Sequence, residues 1–306
     1  MRDKKEKNSE AHYQELPNVA ASEADIIIQR VAFGGAVSGE SGTENAPDAI
    51  LEISEQLEYY DEDLEWSPMK YMSVCVSDSV SEYSAITPST KALLQGEQQL
   101  LISLGGDHSI TPQITRGLLS APATIVFLDA HADLRESYMG DPYSHATPLH
   151  HLLSDGHRVI MIGIRSIYEN EAARIKEDEN IEFYGDRMLR DAAVKKRLLE
   201  RIATLEGDVY LSIDMDAFNP AYVPSVGTPQ PGGLDYYFAT DIFEKLFLES
   251  NATVLGADLV ELIPEVSTVS QTFTAKILQK IISYWGKSQG YESREMQGAQ
   301  MLVEYD

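Results

Sequence analysis

Short apolar runs recur along the chain at 25–32, 71–76, 99–104, 124–129, 158–164, 181–184, 208–214 and 253–259. Most are continuously apolar, as in strands buried on both faces; a strand with one wet face would alternate. Between them the spacing of hydrophobic positions changes to i, i+3, i+4. It does so in NAPDAILEISEQLEYY, TPSTKALLQGEQQ, Glu169–Lys176, DAAVKKRLLERIATL, DYYFATDIFEKLFLES and TAKILQKIISYW. That spacing puts the apolar side chains on one helical face. Alternating strands and helices predict an α/β domain, a parallel sheet covered by helices on both sides. The pattern places this domain at 25–286, with a polar, loosely packed tail at 1–24 and a polar extension at 287–306.

Composition narrows the class of partner. The 306 residues carry Lys+Arg 24 against Asp+Glu 49, a net charge of −25. So acidic a chain repels nucleic acid and anionic membranes and favours small cationic partners. No run approaches the roughly 20 apolar residues of a membrane span. MRDKKEKNSE has charge but no apolar stretch behind it, unlike a secretory signal. Cys75 is the only cysteine, so no disulfide forms within the chain. Its apolar flanks predict a core position in a reducing, cytoplasmic setting.

The polar residues that matter sit where apolar runs stop. TIVFL leads into DAHAD, with Asp129, His131 and Asp133 at alternate positions. Three unpaired polar groups on one buried strand face would cost several kcal/mol, on the order of the penalty for each unsatisfied group. If the strand continued, Asp129 and Asp133 would stand about 13 Å apart, too far for one ion. Either the chain curls at His131 or more than one ion is held. QLLISL leads into GGDHS, with His108 just past two glycines suited to a tight turn, and VYLSI leads into DMD, with Asp214 and Asp216. A fourth run, TVLGADLVEL, ends near Glu261.

Each fragment alone is readily a helix cap or a turn. Together they place two histidines and four carboxylates at the ends of three strands taken as neighbours, with Arg135 the only basic residue near the motifs. Buried carboxylates in that number need compensating positive charge. A pair of divalent cations supplies it, and imidazole with carboxylate but no thiolate suits Mn²⁺.

GGDHS, DAHADLR, SIDMDAFNPAY…GTPQPGG and DLVE resemble, in order and spacing, the ureohydrolases, the family of arginase and agmatinase. The resemblance runs from about residue 30 to 285. It implies a three-layer α/β/α fold with a mainly parallel eight-stranded sheet, two Mn²⁺ per subunit and a homotrimer or homohexamer. It also implies that His108, Asp129, Asp133 and Asp214 hold one ion and Asp129, His131, Asp214 and Asp216 the other. Asp133 would accept a hydrogen bond from the bridging hydroxide that attacks the guanidinium. Glu261 would bind the guanidinium, and His145 in PYSHATP would shuttle protons to the leaving amine. His150 and His151, on a helical stretch, read as structural or surface residues.

The loop LRESYMGDPYSHATP and the stretch MIGIRS are most similar to agmatinases, which implies agmatine + water → putrescine + urea. Aminopropylated agmatine, guanidinobutyrate and arginine are the alternatives within the family. Outside it stand a one-ion zinc deacetylase of the same fold and a catalytically silent metal-binding scaffold. The chain departs from the family at Asn219, where Asp is common, and at Ser225, where Gly is frequent. It also departs in SGESGTENAPDAI, which lacks the usual Arg. Asn219 is expected to weaken support around the metal ligands.

Overall fold

The computed structural model describes residues 11–35, 42–96 and 98–294. Eight strands, β1 (Ile26–Val31), β2 (Val74–Val80), β3 (Leu100–Leu104), β4 (Thr124–Leu128), β5 (Arg158–Ile162), β6 (Ile181–Tyr184), β7 (Glu206–Asp214) and β8 (Asn251–Val260), form one sheet. Its order is β2-β1-β3-β8-β7-β4-β5-β6, and every paired neighbour is parallel.

Continuous apolar runs do end up with both faces buried. In β4, Val126 and Leu128 join one hydrophobic cluster while Ile125 and Phe127 join the other. The first cluster lies under α1 (Ala46–Ser54), α6 (Ala192–Ala203), α7 (Tyr236–Glu244) and α8 (Val269–Ser288). The second lies under α2 (Tyr83–Leu93), α3 (Thr111–Leu118), α4 (Pro148–Ser154) and α5 (Glu169–Glu177). Helices therefore cover both faces of the sheet.

Several expectations change. Residues 11–24 are not a loose tail: Tyr13 is fully buried, the Val19 N–H donates to Val74 O, and the Val76 N–H donates to Asn18 Oδ1. This segment covers the outer edge of β2, which would otherwise present unpaired backbone groups. At the other end Tyr291 is buried and its hydroxyl donates to Asp25 Oδ1, so residues 287–294 pack against the domain. Residues 1–10, 295–306 and the 38–41 part of SGESGTENAPDAI lie outside the described residues.

Helix α2 starts four residues before the stretch that the spacing marked and holds Pro88 inside it. Tertiary contacts fix that first turn. The Tyr83 ring packs 5.3 Å from Phe33 and 5.8 Å from Tyr143, and its hydroxyl donates to Ser109 O. Strand β2 lies a little later than the apolar run, and Cys75 is only partly buried. Among the described residues no helix is long and apolar enough to cross a membrane.

Candidate metal centre and active-site cleft

β3, β8, β7 and β4 lie side by side at the middle of the sheet. In open α/β sheets the functional crevice lies beyond the carboxyl ends of such central strands. His108 follows β3, Glu261 follows β8, Asp214 ends β7 and Asp129 follows β4. The strands that carry the histidines and carboxylates are thus not all neighbours: β8, bearing Glu261, separates β3 from β7.

Local backbone sets each side chain. β4 stops at Leu128, and Asp133 has a left-handed φ of 48°, so the chain does curl through DAHAD. Asp129 Oδ1 accepts the His131 N–H, and Asp214 Oδ1 accepts the Asp216 N–H. The glycines before His108 serve another purpose than a positive φ. A Cβ at Gly106 would stand 1.7 Å from Phe33 O, and one at Gly105 would meet Ile110 and Val260 side chains. At position 106 only glycine lets the backbone approach Phe33 so closely.

Six side chains converge. His108 Nδ1 lies 3.1 Å from Asp129 Oδ2, 3.1 Å from Asp214 Oδ2 and 3.5 Å from Asp133 Oδ2. His131 Nδ1 lies 2.9 Å from Asp216 Oδ2 and 3.7 Å from Asp129 Oδ1. Two triads, His108–Asp129–Asp133 and Asp129–His131–Asp216, each bring their ligand atoms within 4.8 Å of one another and share Asp129. Asp214 stands beside both, 3.1 Å from His108 and hydrogen-bonded to the Asp216 backbone.

The cluster fits a cation pair on its own physics. Asp129 is fully buried, yet no well-directed hydrogen bond reaches its Oδ2. Burial and the neighbouring Asp129 carboxylate push Asp133 well above the usual carboxylate range; burial and the charges of Asp216 and Asp129 do the same to Asp214. Burial alone would pull His131 down, but hydrogen bonds to Asp129 and Asp216 push it up to about 12. Proton affinities raised at Asp133, Asp214 and His131 by neighbouring carboxylates mark a cluster whose negative charge lacks a compensating positive one.

A second layer aims His108. Its Nε2 lies 3.0 Å from Ser212 Oγ, which donates to Asp258 Oδ1, while Thr111 Oγ1 and Tyr210 OH donate to Asp258 Oδ2. With Nε2 engaged, Nδ1 is left for the cluster; such outer partners orient metal-binding imidazoles. Sequence reasoning missed Ser212 and Asp258, although each is a polar residue inside an apolar strand. It also missed Arg165 in MIGIRS, a guanidinium beside the cluster.

Above the cluster a cavity of about 330 Å³ is lined by Asp133, Asp214, Glu261, His145, Tyr138 and Tyr168, among others. Glu261 has a left-handed φ of 64°, and its Oε1 accepts the His108 N–H at 2.7 Å. Burial, then the Asp107 charge, pushes its carboxyl up to about 8 against that hydrogen bond. His145 belongs to neither triad; its ring packs edge-on to Tyr138. His150 faces Arg174, and His151 Nε2 lies 2.7 Å from Pro142 O. Asn219 Oδ1 accepts the Ala221 N–H, closing its own turn, a bond that a carboxylate would make equally well. Ser225 contributes its backbone, through Ser270 and Ile263.

Comparison with known proteins agrees with this architecture. The sequence profile described as "Arginase: Arginase family" matches residues 24–284. The chain is 34% identical to an N(1)-aminopropylagmatine ureohydrolase of Synechocystis over 88% of this chain and 91% of that protein. It is 30% identical to the agmatinase of Pyrococcus horikoshii over 88% and 94%. The crystal structure of the agmatine ureohydrolase of Thermoplasma volcanium superposes with a TM-score of 0.76 at 27% identity, covering 90% of this chain and 94% of that one. Fold, motif order and profile coincide: the chain belongs to the arginase family, metal-dependent hydrolases of guanidino C–N bonds.

Proposed function

We propose that the protein is a dimanganese ureohydrolase of linear cationic guanidino amines, taking agmatine and water to putrescine and urea. The observation that carries this reading is the pair of triads sharing Asp129 at the floor of the cavity that Glu261 and His145 line. His108, Asp129, Asp133 and Asp214 would hold one ion, and Asp129, His131, Asp214 and Asp216 the other. Nitrogen and oxygen donors without sulfur favour Mn²⁺. When bound, such a pair supplies Lewis acidity and makes water acidic enough to react near neutral pH. Glu261 receives the guanidinium, a planar donor matched to a carboxylate. Asp133 takes the proton that the attacking water gives up, and His145 returns one to the departing amine. The acidic surface suits a cationic substrate. In this reading the enzyme works in the cytoplasm as a homotrimer or homohexamer.

One observation favours a longer substrate. A second cavity of about 400 Å³ shares Arg135, Tyr168 and Glu171 with the first, with the Arg135 guanidinium held between the Tyr138 and Tyr168 rings. In this reading the space beyond the catalytic cavity would take the aminopropyl arm of aminopropylagmatine, the compound in the name of the Synechocystis relative. The test is urea release by the Mn²⁺-loaded protein from agmatine, aminopropylagmatine, guanidinobutyrate and arginine, with acetylputrescine as the deacetylase control. A higher kcat/KM for aminopropylagmatine than for agmatine selects the longer substrate. Urea from none of them refutes the reading.

A further inference from the structure

Arg165 follows β5 and Gly163, whose φ is +94°. Its backbone and that of Ser166 grip the DAHAD loop: both N–H groups donate to Ala130 O, at 2.8 and 2.9 Å. Its side chain turns under the loop that follows β7. Nη2 donates to Asp216 O at 2.7 Å, Phe218 O at 3.2 Å and Gln230 O at 3.1 Å, and Nη1 to Gly163 O and Ala217 O at 3.2 Å. All five of these acceptors are backbone carbonyls, so the guanidinium's charge is left to act on the carboxylates around it. Burial pulls its proton affinity below the usual arginine range and outweighs the charges of Asp216, Asp186, Asp129 and Asp214, which act the other way.

The segments joined in this way carry the same group of ligands. Ala130 lies between Asp129 and His131. The Ala130 N–H donates to Asp216 Oδ1, and Asp216 Oδ2 faces His131. Gln230 Nε2 lies 3.4 Å from His131 Nε2, and Thr228 Oγ1 reaches Asp216 Oδ2 at 3.4 Å. Arg165 thus brackets the Asp129–His131–Asp216 triad, while none of these side-chain hydrogen bonds goes to His108 or Asp133.

We propose that Arg165 is a positioning residue chiefly for one of the two ions, the one to which His131 and Asp216 belong, and reaches the ion at His108 only weakly, through the carboxylates that both ions share. The inference rests on the two-ion reading above. Lysine cannot replace it, because an ammonium has three donors on a flexible stem and no planar fork.

The experiment titrates Mn²⁺ into chelator-stripped parent, Arg165→Lys and Arg165→Gln, resolving the two dissociation constants and recording melting temperature with and without chelator. His108→Asn and Asp216→Asn mark which constant belongs to which ion. Arg165→Lys is expected to weaken the Asp216-linked ion by about 10–100-fold, the usual cost of losing an outer partner. The other ion should change less than about three-fold in the same variant. Arg165→Gln, which also loses the charge, should weaken the same ion further; if it does not fold, Arg165→Lys decides alone. Unchanged constants overturn the proposal. So does an equal loss at both ions together with a lower melting temperature in chelator, the mark of a general scaffold role. A parent that binds fewer than two ions overturns the two-ion reading and this inference with it, and that result appears before any variant is compared.

Discussion

Glu261→Gln isolates substrate binding from metal binding. The side chain keeps its shape, and a carbonyl oxygen can go on accepting the His108 N–H that Glu261 Oε1 accepts at 2.7 Å. That bond fixes the amide's orientation: with its oxygen turned to His108, its NH₂ faces the cavity. A guanidinium arriving there meets donors instead of an anion. The loss is one charge-assisted hydrogen bond, about 1.5–3 kcal/mol. At about 1.4 kcal/mol per ten-fold, kcat/KM should fall by about ten-fold to somewhat over one hundred-fold. Two ions per chain and the parent melting temperature should remain, because no ligand atom has moved. Asp214→Asn is the contrast. Its Oδ2 stands 3.1 Å from His108 Nδ1, and an amide brings less charge, so that variant should lose at least one ion and the stability that bound metal adds. Metal analysis, thermal melting and urea kinetics on both proteins give the answer. If Glu261→Gln bound fewer ions, or hydrolysed the preferred substrate as fast as the parent, the guanidinium role given to Glu261 would be wrong.

Three further outcomes follow from the packing. Lys280 and Asp61 are fully buried, with Nζ 2.6 Å from Asp61 Oδ1 and 2.6 Å from Asp63 Oδ2. Lys280→Met should destabilise by about 3–5 kcal/mol because it strands a buried carboxylate, and adding Asp61→Asn should restore part; an unchanged denaturation midpoint would contradict this. Burial holds the His157 imidazole below its ordinary range, where Nδ1 accepts the Ala123 N–H at 3.0 Å. Its folded form is neutral, so its contribution is complete above a pH of about 6.5 and is lost as pH falls through the lower folded value. His157→Gln should therefore show a flatter stability profile between about pH 7 and 5, and equal slopes would refute the assignment. Gly106→Ala places a Cβ 1.7 Å from Phe33 O, whereas Gly105→Ala meets side-chain carbons of Ile110 and Val260. The first should lower soluble yield and bound metal far more than the second, a ranking that expression and metal analysis read directly.

Eight strand positions, most helices and all six residues of the cluster were legible in the chain for one reason. Each rests on a local rule: continuous apolar runs mean two buried faces, and the motifs set histidines and carboxylates where those runs stop. Rules of that range say nothing about which strands become neighbours. Only the sheet order put β8 between β3 and β7 and so brought Glu261 to the His108 backbone. The N-terminal segment reads as a polar tail because Asn18 gains its partner only when the edge of β2 exists, and Tyr13 is buried only in the assembled core. Ser212 and Asp258 look like faults in apolar strands until Tyr210, Thr111 and His108 surround them. Arg165 is the plainest case. It binds carbonyls, which every residue has, so no side-chain pattern announces its acceptors, and the chain's conformation alone determines which five it meets. Residue types settled what chemistry was possible, and the close approach of segments far apart in sequence settled where it is assembled.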